Sequence, residues 1–429
     1  MMRGFCAAYR AIREPRLSAT APSAPRAFPA LRNRGFRIYF FLFALSMMAD
    51  SVEHVISYWM MFQKFQSPAL AGFAVVSHWL PFLFFSVYSG ALADRFDPRR
   101  IVQVGMACFI TASLGWGYFL LTDSLEMWHA MVLLVIHGFA GVLWHPSGQV
   151  LVHDMVSTED LPSAVRLIAT ARWLGLLAGP AAGAGMMLAF GPTYGILINA
   201  ALYLPMVLWM WRAPYGPRFR PERKTPPRAV RGVADIVQTI RDVAGDRTIV
   251  SMTLLAGCAS LFVGNAYQAQ MPEFAHGLGH EHADLSYSAL LAADAAGALL
   301  AGLLLEGRNL LQPSRRSAFV LAMCWCVAIA GFAMSRSYAL SLVLLFAAGF
   351  LELSFNAMAQ SLVQLRAPDR IRGRVIGLYN MSSLGLRAFA GVTVGLLGSL
   401  IGIHWSLALS AMVLLAVTIS LAALSMRAR

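Results

Sequence analysis

Apolar runs long enough to cross a lipid bilayer recur along this chain at 36–63, 68–93, 98–121, 127–153, 162–189, 191–211, 248–274, 286–306, 315–335, 338–365, 371–399 and 402–426. A helix needs about 20 such residues to traverse a ~30 Å hydrocarbon core. Inside lipid every backbone N–H and C=O must be satisfied, so a run of this length predicts a helix. Twelve of them predict an all-α membrane protein. Hydrophobic residues make up 58% of the chain and charged residues 13%, against about 45–50% and about 25% in soluble domains, so lipid must cover much of the surface. The pair meeting at Gly191-Pro192 has no polar loop between its members and is the weakest division.

The cations set the orientation, because Lys and Arg in short loops stay on the cytoplasmic side. With both termini inside, the cytoplasmic segments collect Arg3 to Arg37, Arg95, Arg99, Arg100, Arg166, Arg212 to Arg247, Arg308, Arg315, Arg316, Arg366 to Arg374, Arg427 and Arg429. Only Lys64 and Arg336 fall outside, and an odd number of spans would destroy this alternation. The net charge of +13 is therefore mostly topology. Nucleic acid is excluded as a partner, since the cations are scattered over separate loops and form no single basic face. The expectation is a multi-pass inner (plasma) membrane protein, a monomer whose partners are the bilayer, protons and a small molecule.

The segment Gly90-Ala-Leu-Ala-Asp94-Arg95-Phe-Asp97-Pro98-Arg99-Arg100 has a degraded copy 212 residues later, Gly302-Leu-Leu-Leu-Glu306-Gly-Arg308. Gly138 and Gln149 match Gly349 and Gln360 at an offset of 211, and Gly179 and Gly183 match Gly391 and Gly395 at 212. An echo at half the chain length is the mark of a duplicated membrane bundle, the construction common among secondary transporters. It divides the chain into a basic tail (1–35), a six-helix bundle (36–212), a linker (213–247) and a second bundle (248–427). The linker's later part, Val233 to Val243, reads either as an amphipathic helix at the inner surface or as a plain solvated connection.

The segment from Gly90 to Arg100 resembles the signature of the major facilitator superfamily between its second and third helices, Gly-x-Leu-Ala-Asp-Arg-x-Gly-Arg-Arg. It departs where Asp97 replaces a glycine and Pro98 adds a residue. The resemblance implies the twelve-helix major facilitator fold and a gating role for Gly90, Asp94, Arg95, Arg99 and Arg100, which latch the halves together on the cytoplasmic side. The residues fit that role: Gly90 permits close helix approach, and Asp94 can cap a neighbouring helix or pair with a cation. The fifth run carries Gly175, Gly179, Pro180 and Gly183; its small residues every fourth position let another backbone approach, and Pro180 removes a hydrogen bond. It is similar to the family's antiporter motif, although Arg166 and Ala184 stand where that motif has glycines. Pro146 to Ala164, with Gly191 to Asn199, resembles the branch of enterobactin-type siderophore exporters and macrolide efflux proteins. That resemblance implies proton-coupled export of an amphipathic organic compound, with import of a small organic anion by Arg172 and Arg387 as the alternative.

Ionisable groups inside a bilayer cost about 2.5–3.5 kcal/mol each on insertion scales, so each needs a partner, a wet cavity or a function. On the first span Asp50, Glu53, His54 and Ser57 follow i, i+3, i+4, i+7 spacing and share a face. The fourth span presents His137, Trp144, His145 and Gln149, the seventh Asn265 and Gln268, and the tenth Glu352, Asn356 and Gln360. Arg172, Asp294 and Arg387 complete the set. In the family, spans 1, 4, 7 and 10 line the central cavity. A carboxylate in an apolar cavity favours its neutral form and can carry a proton across. Asp50 and Glu53 are therefore the expected coupling pair, with Arg172 as counter-charge and Glu352 as a second candidate. A hydrogen-bonded cluster fixing span 1 to a neighbour would use the same residues.

The remaining features carry less. His276, His280, His282 and Asp284 sit in one outer loop, but histidine-rich loops mostly bind nothing specific, so no metal and no cofactor is expected. The five cysteines show no disulfide or zinc spacing. Residues 1–35 read as a disordered cytoplasmic tail, an organellar presequence or a start codon placed too early. No Gly-x-x-x-x-Gly-Lys-Ser/Thr motif points to ATP. An enzyme built on His145, His153 and Asp154 lacks an accompanying nucleophile or zinc set, so no enzymatic activity is expected.

Overall fold

The computed structural model describes residues 27–65, 67–219, 233–264, 266–278, 283–307, 312–390, 394 and 397–427. The basic tail up to residue 26, the linker core 220–232, Asn265, His280 and His282 lie outside the described residues. Every regular element among the described residues is helical.

Spans 1 to 4 are Arg34–Phe65, Pro68–Arg95, Pro98–Leu121 and Met127–Met155. Short polar residues end each one where the apolar run stops. Ser67 accepts from Leu70 N at the start of span 2, and Asp97 accepts from Arg99 N at the start of span 3, each with proline in the first turn. Glu126 and His129 form a reciprocal cap on span 4. Spans 5 and 6 run through Leu161–Leu202 and Leu204–Arg212. At 52 residues this stretch would be about 78 Å long as one helix, more than twice the hydrocarbon thickness. Gly191 breaks it with φ 75° and ψ 163°, a conformation reserved for glycine, and Pro192 starts the next helix.

In the second half, span 7 is Arg247–Phe262 followed by the short helices Ala266–Ala269 and Met271–Gly277. Spans 8, 9 and 10 are Ala283–Gly307, Arg315–Met334 and Tyr338–Arg366. Span 11 is interrupted: Arg372–Asn380, a π-helical turn at Met381–Gly385, then Arg387–Ala390 and Leu397–Ile401. Span 12 is Ile403–Arg427, separated from it by Gly402 at φ 85°. Ten helices among the described residues pass a length and hydropathy test for membrane crossing. The fused Leu161–Arg212 stretch and the broken span 11 account for the difference from twelve.

The linker's later part is a helix, Val233–Val243, with Asp235 and Thr239 fully buried against the bundle and Val237 and Ile240 exposed. Within each half the helices enclose an apolar core. One is built around Phe36, Tyr39, Trp144 and Tyr203, the other around Phe274, Phe319, Trp325 and Phe355. The duplicated glycines do the same work twice. A Cβ on Gly138 would strike the Ser77 carbonyl on span 2, and one on Gly349 would strike the Asp294 carbonyl on span 8. Gly175, Gly179 and Gly183 lie against Met47, Ser51 and Val55, laying span 5 along span 1 within the first half.

The halves meet at one end of the bundle, the face that carries Ala30, Ala213 and the linker helix. Gly90 abuts Gly373, and Gly377 abuts Ser86, so span 11 rests on span 2. Asp94 accepts from Gly373 N at 2.6 Å and Arg374 N at 3.1 Å, and pairs with the Arg374 guanidinium at 3.3 Å. Arg374 also reaches Asp235 at 3.2 Å. On the pseudo-symmetric side Glu306 accepts from Ser163 and pairs with Arg166 at 2.9 Å. Arg99, by contrast, stays within its own half, paired with Asp97 at 2.6 Å and bonded to the Ala213 carbonyl at 2.5 Å. Arg95 lies over Phe96 and Arg100 over Trp211.

Candidate functional site

Above that closed end lies a cavity of about 520 Å³, lined from both halves. Its floor is polar: Gln149 on span 4 donates to Asn380 on span 11 and accepts from Gln364 on span 10, each at 3.3 Å. Toward the opposite end the lining reaches Tyr58, Val75 and Gln270. Trp79, Trp173, Tyr58 and Tyr379 supply aromatic surface.

On the first half's wall, His137 of span 4 sits between two carboxylates of span 1. Its Nδ1 is 2.9 Å from Glu53 Oε1 and its Nε2 is 2.9 Å from Asp50 Oδ1. The other Glu53 oxygen accepts from Ser113 Oγ at 2.5 Å, and Asn199 donates to the same hydroxyl at 3.3 Å. His54 places Nδ1 2.7 Å from the Asp50 carbonyl and Nε2 3.2 Å from His78 Nδ1 on span 2.

The second half's wall holds another buried acid pair. Asp294 on span 8 and Glu352 on span 10 are joined through Tyr267, whose hydroxyl is 3.2 Å from Asp294 Oδ2 and 3.4 Å from Glu352 Oε2. Gln268 donates to Asp294 at 2.9 Å. Arg387 is 3.9 Å from Glu352 and lies over the Trp79 ring at 5.4 Å. Arg172 faces the cavity with no carboxylate within ion-pair distance among the described residues.

Of the residues expected at the site, Asp50, His54, His145, Gln149, Arg172, Gln268, Glu352, Asn356 and Gln360 line the cavity. Glu53, Ser57, His137 and Trp144 do not: each is buried behind the wall. At 100° per residue Glu53 and His54 stand about 100° apart around span 1, so one turns toward spans 3 and 4 and the other toward the opening. Ser57 returns its hydroxyl to the His54 carbonyl at 3.4 Å. Trp144 packs against Phe43 at 4.8 Å between ring centres. Asp50 and Glu53 do not share a proton directly, because His137 stands between them, and Arg172 is not their ion-pair partner. Asn265 lies outside the described residues. In the outer loop His276 is exposed, and the side chains of His280, His282 and Asp284 are not described.

His78, Trp79, Tyr267, Ser113 and Asn380 were not singled out from the sequence. His78 had a signal, being an ionisable group inside an apolar run. Ser113 and Asn199 had none, since serine and asparagine are unremarkable in a membrane helix until a buried acid is found beside them.

Two six-helix halves, in contact at one end and separated by a polar cavity, have the architecture of a membrane transporter. The Major Facilitator Superfamily profile matches residues 38–391, and the chain belongs to that family. Among solved structures it is similar to the human organic anion transporter MFSD10 (TETRAN), at 14% identity over 92% of this chain and 99% of that one, with a TM-score of 0.73. It is similar to the E. coli fucose:proton symporter FucP, at 12% identity, 91% and 99% coverage and a TM-score of 0.70. A bacterial homologue of the iron transporter ferroportin, in an outward-facing state, matches at 15% identity, 92% and 99% coverage and a TM-score of 0.68. Identities this low establish the shared fold. No curated protein matches the sequence.

Proposed function

We propose that this transporter is a proton-coupled exporter of an amphipathic organic compound bearing an anionic group. It sits in the inner (plasma) membrane with both termini cytoplasmic. The single observation that carries the cargo class is the pairing of two guanidinium groups, Arg172 and Arg387, with the aromatic walls of Trp79, Trp173 and Tyr379 around one cavity. A cation facing the cavity without a carboxylate partner is costly in the membrane unless an anion arrives. That the similarly folded MFSD10 is described as an organic anion transporter agrees with this reading.

Proton coupling rests on the second half's acids. Asp294 and Glu352 share Tyr267, and among the described residues Arg387 is the cation within ion-pair distance of them. One proton balances the charge of that cluster, and releasing it as cargo engages Arg387 gives an exchange. Asp50 and Glu53 were the first choice from sequence, but both are engaged by His137, so Glu352 takes the role. Export is supported by the helix-5 glycines and Pro180, in a pattern similar to the antiporter motif. With the basic face assigned to the cytoplasm, the structure is closed inside and open outside. The contacts of Asp94 and Glu306 act as the inner gate.

Proteoliposomes test this reading with a panel of amphipathic carboxylates and sulfonates. Export predicts that an imposed pH gradient drives the anion against the proton flow, and that Glu352→Gln abolishes gradient-driven accumulation. Movement of the anion in the same direction as the protons favours the import reading. No movement of any member of the panel would sink both.

A further inference from the structure

We propose that His54, His78, His137 and Asp50 form a binding site for a divalent first-row transition-metal ion, with Zn2+ and Co2+ as the best fit. The site goes beyond the cargo reading and stands whatever the cavity transports.

The argument is about where lone pairs point. One ring nitrogen from each of the three histidines lies within 4.8 Å of the others. His54 Nδ1 is 2.7 Å from a backbone carbonyl, which can only accept, so Nδ1 carries the proton and Nε2 carries a lone pair. That lone pair faces His78 Nδ1 at 3.2 Å. His137 Nδ1 is 2.9 Å from Glu53 Oε1, an acceptor held in place through its second oxygen by Ser113 and, behind it, Asn199. This fixes Nδ1–H as the donor and leaves Nε2 to face the other way. His137 Nε2 is buried, and its neighbour is the Asp50 carboxylate, with Oδ1 2.9 Å away.

Ring nitrogens and a carboxylate from three helices thus converge. Only exchangeable protons hold them together, one between His54 and His78 and one between His137 and Asp50, and a divalent cation would displace both. A metal ion is the group that fits. Ligand atoms at 2.0–2.1 Å from a tetrahedral Zn2+ stand about 3.3 Å apart, close to the 3.2 Å and 2.9 Å separations already present. A histidine whose far nitrogen donates to a carboxylate or carbonyl is the usual supporting arrangement around such an ion, and two of the three have it. Imidazole-rich donors select zinc, cobalt, nickel or copper over magnesium and calcium, which require oxygen. Asp50, His54 and His78 line the cavity, so an ion entering it reaches the site without passing through the core.

The test is cobalt titration of the purified full-length protein in detergent. We expect a single equivalent of Co2+ to develop the intense visible absorption of a tetrahedral complex, to be displaced by Zn2+, and to resist a large excess of Mg2+. His54→Gln combined with His78→Gln should abolish the absorption. Glu53→Gln, which touches no metal, should weaken Co2+ binding about 10–100-fold. Changing His276, His280 and His282 together to Gln should leave it intact, which separates the cavity site from the outer loop. Each variant is checked for a single monodisperse peak, and His78→Gln alone serves if the double variant fails to fold. Absence of the absorption in the unaltered protein, meaning that a proton on His137 satisfies Asp50, overturns the proposal. So does its survival in the folded His78→Gln protein.

Discussion

Glu306 stands 212 residues after Asp94 and makes the corresponding contact. Each is a buried acid near the end of the second helix of its half, and each reaches the start of a helix in the other half. The degraded copy has lost most of the signature but has kept the acid. Arg166, which occupies a glycine position of the helix-5 pattern, is the cation that meets it at 2.9 Å. The departure from the pattern therefore has a physical reason. Removing one member of a buried pair leaves an uncompensated charge, at a cost of about 3–5 kcal/mol. Because these pairs join the halves, that cost falls on the closed state alone. Arg166→Ala is expected to raise the exposure of the basic face, read as faster alkylation of a cysteine placed at Gln149. Arg166→Ala with Glu306→Ala should partly reverse the effect. At the cavity, Arg172→Ala is expected to weaken anion binding at least tenfold, measured by quenching of the cavity tryptophans. These roles were half legible: sequence singled out Asp94 and Glu352, but Gly373 and Arg374 lie 279 and 280 residues beyond Asp94, and Tyr267 lies 85 residues before Glu352, so these partners follow from no local pattern.

Two sets of glycines that look alike in sequence sit at different kinds of contact. Gly175, Gly179 and Gly183 hold span 5 against span 1 inside one half, a contact that rigid-body rocking preserves. Gly90, Gly373 and Gly377 hold span 2 against span 11 between the halves, a contact that rocking must break. Gly175→Val is therefore expected to lower thermal stability, by about 1–3 kcal/mol as overpacking does, without favouring either state. Gly373→Val should cost little in thermal midpoint but exclude the closed state, moving the labelling of Gln149→Cys to the basic face. The twelve apolar runs were readable, because helix length follows from local hydropathy. The interruption of span 11 at Met381–Gly385 was not, since π-helical turns have no dependable sequence signature, and this one sits immediately before Arg387.

Across the whole molecule the cations are segregated by face. Lys64 pairs with Asp123 on the face opposite the linker, where Arg336 also belongs, while the arginines of the loops gather on the other. If the basic face is cytoplasmic, as proposed, impermeant thiol reagents added outside intact cells are expected to label Asp123→Cys and spare Gly245→Cys. The reverse labelling would invert the assignment of gates and of transport direction. Sequence by itself determined the number of spans, the duplication, the family and which helices bear polar groups, because each depends on hydropathy and spacing along one segment. Tertiary structure alone decided which acids are engaged and which are available. Asp50 and Glu53 share a face of one helix, yet the burial of His137 between them depends on how span 4 packs. Asp294 and Glu352 come together where Gly297 and Gly349 let spans 8 and 10 touch. A buried charge is governed by what lies within a few ångströms in space, and in a folded bundle those neighbours come from distant parts of the chain.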